Sequence, residues 1–471
     1  RLLGEAAVGE PLVEDLPVPL GSRTMGADVY AEKLGSGVQV YFIRRDEFYD
    51  RGHLYGTSKG DYFDNAQRFI YFCRAVLALC PTLGAKADII HCHDWQCGLI
   101  PAYLRLLMAD DPFWAHTASM LTIHNITYQG RFGPELFPLT GLPDNFFTVD
   151  GMEFWGGINF LKAAVITADV ITTVSSRYSE EIQTEAYGGG LEGILRVHRK
   201  KLHGIINGAD YQAWNPETDP HLAANYSRED LEPKRLCKLD LLDTVGLPQR
   251  VADRPVLGMV SRLADQKGFD LLAGIMDRLM AEEVALVILG TGEKRYQTLL
   301  SRLAARYPDN IAVRLTFDEG LAHKIEAGAD MFLMPSRFEP CGLNQIYSLR
   351  YGTVPVVRST GGLYDTVSPY EPKTGTGVGF LFTTYEPEAF WQAIETALEF
   401  FSRPEIWQQI MKNGMAEDFS WQSAARQYLL LYEKAVEELR QRSSGRGYHG
   451  TEQAGKRGVF PAGAPHSREV P

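Results

Sequence analysis

The sequence predicts an α/β protein of two doubly wound, Rossmann-like domains facing one another across a cleft. Three observations carry that reading. Eight short β-branched runs from residue 87 onward are almost continuously apolar rather than alternating, the pattern of strands buried on both faces. Helical stretches separate the runs at the spacing of βαβ units, which build parallel sheets. A length of 471 residues is too great for one hydrophobic core and suits two of ordinary size.

In chain order the runs are ADIIHCHD (87–94), SMLTIHN (119–125), ADVITTVS (168–175) and LHGIING (202–208), then PVLGMVSR (255–262), VALVILGTG (284–292), ADMFLMPS (329–336) and TVPVVRST (353–360). The first four assign an N-terminal domain to 1–240 and the last four a C-terminal domain to 241–415. Between 215 and 250 the chain turns polar, passes a short helical stretch and reaches Gly246, Pro248 and Pro255, the punctuation of a domain boundary. A further helix is expected over 416–440. From Gln441 to the end the composition is rich in Gly, Arg, Ser and Pro, which reads as a disordered tail.

Charge and cysteine usage narrow the function classes. A net charge of −12 argues against nucleic-acid or anionic-membrane binding, since either needs a basic face. A phosphate-bearing ligand must then be held by local cations and backbone amides. The cysteines, Cys73, Cys80, Cys92, Cys97, Cys237 and Cys341, form no CxxC pair and no zinc spacing, so they read as reduced thiols in a reducing compartment. No apolar run is long enough to span a bilayer, and no metal site is expected, because His91 and His93 have no third ligand nearby.

In open α/β sheets, ligands bind outside the carboxyl ends of the strands. The residues at those ends are His93 and Asp94, His124 and Asn125, Ser175, Asn207, Arg262, Gly290 and Gly292, Glu339, and Thr360 with Gly361 and Gly362. Arg262 and Lys267 stand five residues apart in a loop after a strand, where a planar guanidinium and a point charge suit a diphosphate. Taken alone, they read more readily as solvated surface charges. Pro340 precedes Cys341, Gly342 and Leu343, which are expected to open a helix whose free N–H groups face an anion. Gly361 and Gly362 offer a second such approach, with Thr360 beside them at the strand end. Glu339 suits sugar hydroxyls or, equally, a helix cap. Asp94 beside Trp95 is the acid-and-aromatic pair that seats a sugar, although a buried Trp with a capping Asp is the blander reading. His124 and Asn125 read alternatively as a satisfied core pair.

Together these stretches become specific. HCHDWQCGLIPAYL (91–104), TIHNITYQGRF (122–132), KAAVITADVITTVSSRY (162–178), INGADYQAWNPETD (206–219), VSRLADQKGFDLL (260–272) and PSRFEPCGLNQIYSLRYGT with STGGLYDTV (335–367) closely resemble the bacterial glycogen synthases and plant starch synthases. The resemblance runs from about residue 15 to 440. It implies a retaining GT-B glucosyltransferase that works without a metal or other cofactor, taking ADP-glucose as donor and glycogen or another α-1,4-glucan as acceptor. It also implies a last helix, about 423–440, that crosses back to the N-terminal domain. By the same resemblance, Arg262 and Lys267 hold the diphosphate, and Gly342 and Leu343, next to Cys341, donate to its distal phosphate. Phe317 packs on the base, Glu339 and Asn207 bind the transferred glucose, His124 and Asn125 line its anomeric side, and Asp94 positions the acceptor.

One feature of the family has no counterpart here: an opening strand followed by a K-x-G-G loop that meets the sugar nucleotide. The expectation is that a unit of roughly fifty residues, about one βαβ piece, is missing before Arg1, leaving a poorly soluble and weakly active chain. A glucan- or nucleotide-binding relic and another GT-B transferase, such as a sucrose- or trehalose-type synthase, stand as alternatives. UDP-glucose is not excluded as donor. The bacterial cytoplasm is expected rather than the plastid, because the sequence shows no transit peptide.

Overall fold

A computed structural model of the chain describes residues 9–57 and 59–446. Its first three strands, β1 (Val13–Leu20), β2 (Arg23–Lys33) and β3 (Gln39–Arg44), form an antiparallel sheet that the sequence reading had not drawn. The reason is their pattern: Leu16, Val18 and Leu20 alternate inward along β1 while their neighbours face out. That is the signature of a one-sided sheet, unlike the continuous runs further on. This sheet rests on the helix Asn65–Thr82, where the buried Tyr71 hydroxyl donates to the Gly26 carbonyl at 2.6 Å.

Two short strands, β4 (Gly56–Thr57) and β5 (Gly60–Asp61), pair before that helix. The first predicted run then becomes β6 (Ile89–His93) and the second β7 (Ala118–Ile123). Three short strands follow, β8 (Arg131–Phe132), β9 (Glu153–Phe154) and β10 (Gly157–Asn159), pairing in the order β8-β10-β9. The third and fourth runs are β11 (Val170–Thr173) and β12 (Leu202–Gly204). Strands β12-β11-β7-β6 form one parallel sheet in that order. Every residue of β7 and β11 is buried, as continuous apolar runs require.

The second domain carries β13 (Val256–Val260), β14 (Ala285–Leu289), β15 (Ile311–Arg314), β16 (Met331–Met334), β17 (Val354–Arg358) and β18 (Phe380–Phe382). They form a parallel sheet in the order β15-β14-β13-β16-β17-β18. The chain runs outward from β13 in one direction and, from β16, outward in the other. The β13–β16 boundary is therefore a topological switch point, where the connections diverge and leave a crevice at the strand ends.

Two boundaries differ from the sequence reading. Helix Lys234–Val245 belongs to the second domain, because Leu241, Leu242 and Val245 sit in that domain's core and Lys234 donates to the carbonyls of Ala327 and Tyr351. The second domain thus begins before residue 241. At the other end, the last helix runs Trp421–Arg446, so the expected tail does not start at Gln441. The rest of that tail, 447–471, lies outside the described residues. This helix does cross back to the first sheet: Ala435 is buried with Ala118, Met120 and Val170. The Tyr432 hydroxyl and His91 Nδ1 share a hydrogen bond of 2.7 Å, and Arg442 pairs with Asp169 at 3.1 Å. No helix among the described residues is long and apolar enough to cross a membrane.

Candidate active site at the domain cleft

At the switch point the chain leaves β13 through Ser261 and Arg262 and leaves β16 through Pro335 and Ser336. A cavity of about 150 Å³ lies between them, walled by Arg262, Lys267, Ser336, Glu339, Gly342 and Leu343 among others. Residues as far apart in sequence as Arg262 and Leu343 thus meet in one place because β13 and β16 are neighbours. Glu339 is buried at 6% exposure. Its Oε2 accepts from Lys267 Nζ at 2.6 Å and from the Ser336 hydroxyl at 3.0 Å, the partners a buried carboxylate needs. The loop that carries Lys267 is seated by Gly268, at φ +74, where a Cβ would lie 2.0 Å from the Pro335 carbonyl oxygen.

The helix expected to open at Cys341 opens at Asn344, with Leu343 in the capping position. Gly342 holds φ +72 just before it, and a Cβ there would lie 2.3 Å from Gln345 Oε1. Burial pushes the Cys341 thiol up to about 12, so it is a packing group, with the Asn207 backbone turned toward it. Thr360 and Gly361 stand apart from the cavity. The Thr360 hydroxyl and the Gly361 N–H both donate to Glu181 of the first domain, each at 3.1 Å. A Cβ on Gly361 would lie 2.0 Å from the Glu339 carbonyl oxygen, so this glycine lets one backbone lie against another. Its N–H is engaged by Glu181 rather than free for an anion.

Across the cleft stand the residues that end β6 and β7. Asp94 holds φ 58 and ψ −172, a region that non-glycine residues enter at a cost of about 1–3 kcal/mol. The surroundings enforce it: Asp94 Oδ1 accepts the His124 N–H at 2.7 Å, and the Asp94 N–H donates to the Thr122 carbonyl. Its side chain therefore does not cap the turn at Trp95, as the blander reading had it. Burial raises the Asp94 carboxyl, opposed by the backbone donors of His124 and Asn125. Burial also lowers His124, which keeps its ring neutral, and His124 Nε2 shares a hydrogen bond of 3.0 Å with His93 Nδ1. Asn125 spends its side-chain oxygen on the Thr127 N–H. Trp95 is buried at 7% exposure among Phe69, Phe132 and Phe160, so it shapes the floor of the cleft from within the core.

The cleft itself is a cavity of about 1040 Å³ that runs from Asp94, Tyr128 and Arg131 of the first domain to Arg262 and Phe338 of the second. Arg262 lies in the walls of both cavities. Phe317 stands 86% exposed after β15, at the carboxyl edge of the second sheet. The sequence reading singled out neither Ser336, Tyr128, Arg131 nor Phe338. Ser336 ends a predicted run, so the strand-end rule was enough to find it. Tyr128 and Arg131 lie in a block quoted for its resemblance, but no local pattern marks them. Among the described residues no cluster of His, Cys, Asp or Glu is arranged to hold a metal.

Two facing α/β domains built on parallel sheets, with a cavity at the second sheet's switch point opening onto the cleft between them, define a GT-B glycosyltransferase. Residues 7–197 match the family model for the starch synthase catalytic domain, and 248–413 match glycosyl transferases group 1. The chain is 51% identical to the glycogen synthase of Koribacter versatilis over 423 residues, 90% of this chain and 87% of that one. It is 45% identical to the glycogen synthase of Thermotoga maritima over 430 residues, 91% of this chain and 87% of the other. The catalytic domain of starch synthase IV from Arabidopsis thaliana, solved bound to ADP and acarbose, superposes with a TM-score of 0.83 at 33% identity. That superposition covers 90% of this chain and 88% of that one. Sucrose-phosphate synthase from Thermosynechococcus elongatus shares the fold at a TM-score of 0.56 and 18% identity, over 87% of this chain and 86% of its own. This chain belongs to the glycogen synthase and starch synthase family.

Proposed function

We propose that this chain transfers glucose from ADP-glucose to the non-reducing end of an α-1,4-glucan with retention of configuration. The observation that carries the reading is the position of Arg262. It walls both the switch-point cavity and the large cleft, so a diphosphate held there presents its sugar to an acceptor lying in the cleft. Breaking the bond between the anomeric carbon and the diphosphate builds negative charge on phosphate and positive charge on the ring. Arg262, Lys267 and the N–H groups at Gly342 and Leu343 stabilise the first without reorganising. Asp94 orders the acceptor hydroxyl, whose oxygen bonds to the anomeric carbon on the face the phosphate leaves. Its proton passes to the departing phosphate oxygen.

Glu339 binds sugar hydroxyls here rather than acting as a covalent nucleophile, since Lys267 and Ser336 already hold its Oε2. Asn207 completes the sugar contacts, neutral His124 and Asn125 line the anomeric side, and Phe317 receives the base. The protein's own cations serve the diphosphate, so the scheme needs no metal or other cofactor. Six unbridged cysteines and the bacterial relatives favour a bacterial cytoplasmic setting.

The test is glucose incorporation into glycogen from ADP-glucose, run beside UDP-glucose, with Glu339→Gln as control. Transfer from ADP-glucose that Glu339→Gln lowers at least about a hundredfold is the expected result. Tight ADP binding with no transfer from either donor would replace this reading with that of a binding relic.

A further inference from the structure

Strands β9 and β10 are joined by a two-residue hairpin, with Phe154 paired to Gly157. The two turn residues are Trp155, at φ 50, and Gly156, at φ 81. A hairpin of this kind needs positive φ at both central positions, which is why Asn-Gly and Gly-Gly dominate there. A bulky aromatic residue in the first position costs backbone energy, of order 1 kcal/mol. Trp155 is also 78% exposed, which forgoes the burial that normally rewards an indole. Both costs fall on one residue, and the hairpin offsets them only on the ring face that packs against Phe154.

What surrounds the ring is informative. One face of the indole stacks on Phe154, with centroids 4.8 Å apart and planes at 18°, and the other is open. The Arg131 guanidinium lies 4.7 Å from the Phe154 centroid and 5.6 Å from that of Trp155. Arg131 also donates to the Gly189 carbonyl at 2.7 Å, and both Arg131 and Gly189 line the large cleft. Gly190 closes the join: a Cβ there would lie 2.9 Å from Phe154 and 3.3 Å from Trp155. The stacked pair is therefore held beside the cleft through Arg131 and the Gly189–Gly190 segment, of which Arg131 and Gly189 line it. The indole is a single flat apolar face set among a guanidinium, a carboxylate (Glu153, which accepts the Gly156 N–H at 2.7 Å) and bare backbone. A protein partner needs a contiguous apolar patch with a packed centre. A sugar ring, apolar on its CH face and polar at its edge, matches one isolated ring with polar neighbours.

We propose that the open face of Trp155 is a stacking platform for the acceptor glucan where it leaves the cleft, so that the enzyme grips long chains more tightly than short ones. The proposal rests on the glucan-synthase reading above. It makes Trp155 a residue that selects acceptor length and leaves the transfer chemistry to the cleft.

The experiment compares the full chain with Trp155→Asn by calorimetric titration with maltose and with maltoheptaose, and separately by transfer from ADP-glucose to each. Asn is a favoured residue at this turn position, so the variant keeps the hairpin and removes the ring. The expected result is a roughly three- to tenfold weaker Kd for maltoheptaose, with a parallel rise in its KM, while maltose and ADP-glucose are unaffected. Equal effects on maltose and maltoheptaose, or none on either, would overturn the platform. So would a change of oligomeric state in Trp155→Asn on sizing, which would assign the ring to a contact between copies. Absence of transfer in the parent chain, with maltoheptaose binding still dependent on Trp155, would remove the synthase reading and leave the platform standing.

Discussion

Replacing Lys267 by Met tests whether the switch-point cavity is held together by the pair at its centre. Lys267 Nζ lies 2.6 Å from Glu339 Oε2, and the two side chains are 16% and 8% exposed. At an effective dielectric near 20, two charges at that separation attract by about 6 kcal/mol. Removing two ions from water costs several kcal/mol each, so the intact pair contributes little net stability. The orphaned partner is what costs: Lys267→Met leaves Glu339 with the Ser336 hydroxyl and no cation. Loss of one member of a buried pair destabilises by about 3–5 kcal/mol, and the Ser336 bond sets the expectation at the lower end, about 3 kcal/mol. The double variant Lys267→Met with Glu339→Gln removes the orphaned charge and should recover about 2 kcal/mol of that loss. Urea unfolding of the parent, both single variants and the double variant measures this directly as a thermodynamic cycle. Transfer activity should fall at least about a hundredfold in all three variants, so stability and catalysis separate. Strictly additive changes in stability would refute the view that Glu339 is held by Lys267.

Two further outcomes follow from the same geometry. Gly361→Ala should destabilise by more than Gly375→Ala: both positions hold positive φ, but a Cβ meets the Glu339 carbonyl oxygen at 2.0 Å in the first and open space in the second. Gly375→Ala thus measures the backbone cost alone, about 1 kcal/mol, and urea midpoints that coincide would remove the contact argument. Acid sensitivity should trace in part to His91, which burial lowers from 6.5 to about 3. The unfolded chain binds the proton first, so stability falls as pH drops through that window and is retained above about 6.5. Urea midpoints between about pH 7 and about pH 4.5 should fall less steeply in His91→Gln, and parallel slopes would exclude His91 as a contributor.

The parts of this molecule legible in the sequence are those where burial alone dictates the pattern. A strand covered on both faces has no polar positions, so β7, β14 and β16 announce themselves. Parallel topology then puts their carboxyl ends together, which is why Arg262, Glu339 and Asp94 could be named from their places in the chain. What stayed hidden depends on contacts between distant segments. Gly361 looks like an anion site by its own sequence, and the carboxylate that engages it, Glu181, is 180 residues away. Helix Lys234–Val245 looks like a linker helix until Leu241 and Leu242 are seen in the second core. The strain at Asp94 has no local signature, because an ordinary Asp is forced into it by the His124 N–H and the Thr122 carbonyl.

The contact at Glu181 also bears on how the two walls of the cleft are coupled. Thr360 and Gly361 follow β17 and abut the Glu339–Cys341 backbone, while Glu181 ends the helix Ser176–Glu181 that follows β11. Beside it the Arg177 N–H donates to Asp365 at 3.0 Å, and its guanidinium lies 5.3 Å from the Tyr364 centroid. These links are polar, and beside them the Cys341 side chain of the second domain is buried in the first domain's core. They sit directly behind the cavity that holds Glu339. The backbone that presents Glu339 is thereby tied to the first domain on both its polar and its apolar side. On the proposed function, cleft closure would carry the loop of Glu339 with the first domain, so placing the donor sugar and excluding water before the glycosidic bond breaks would be one event.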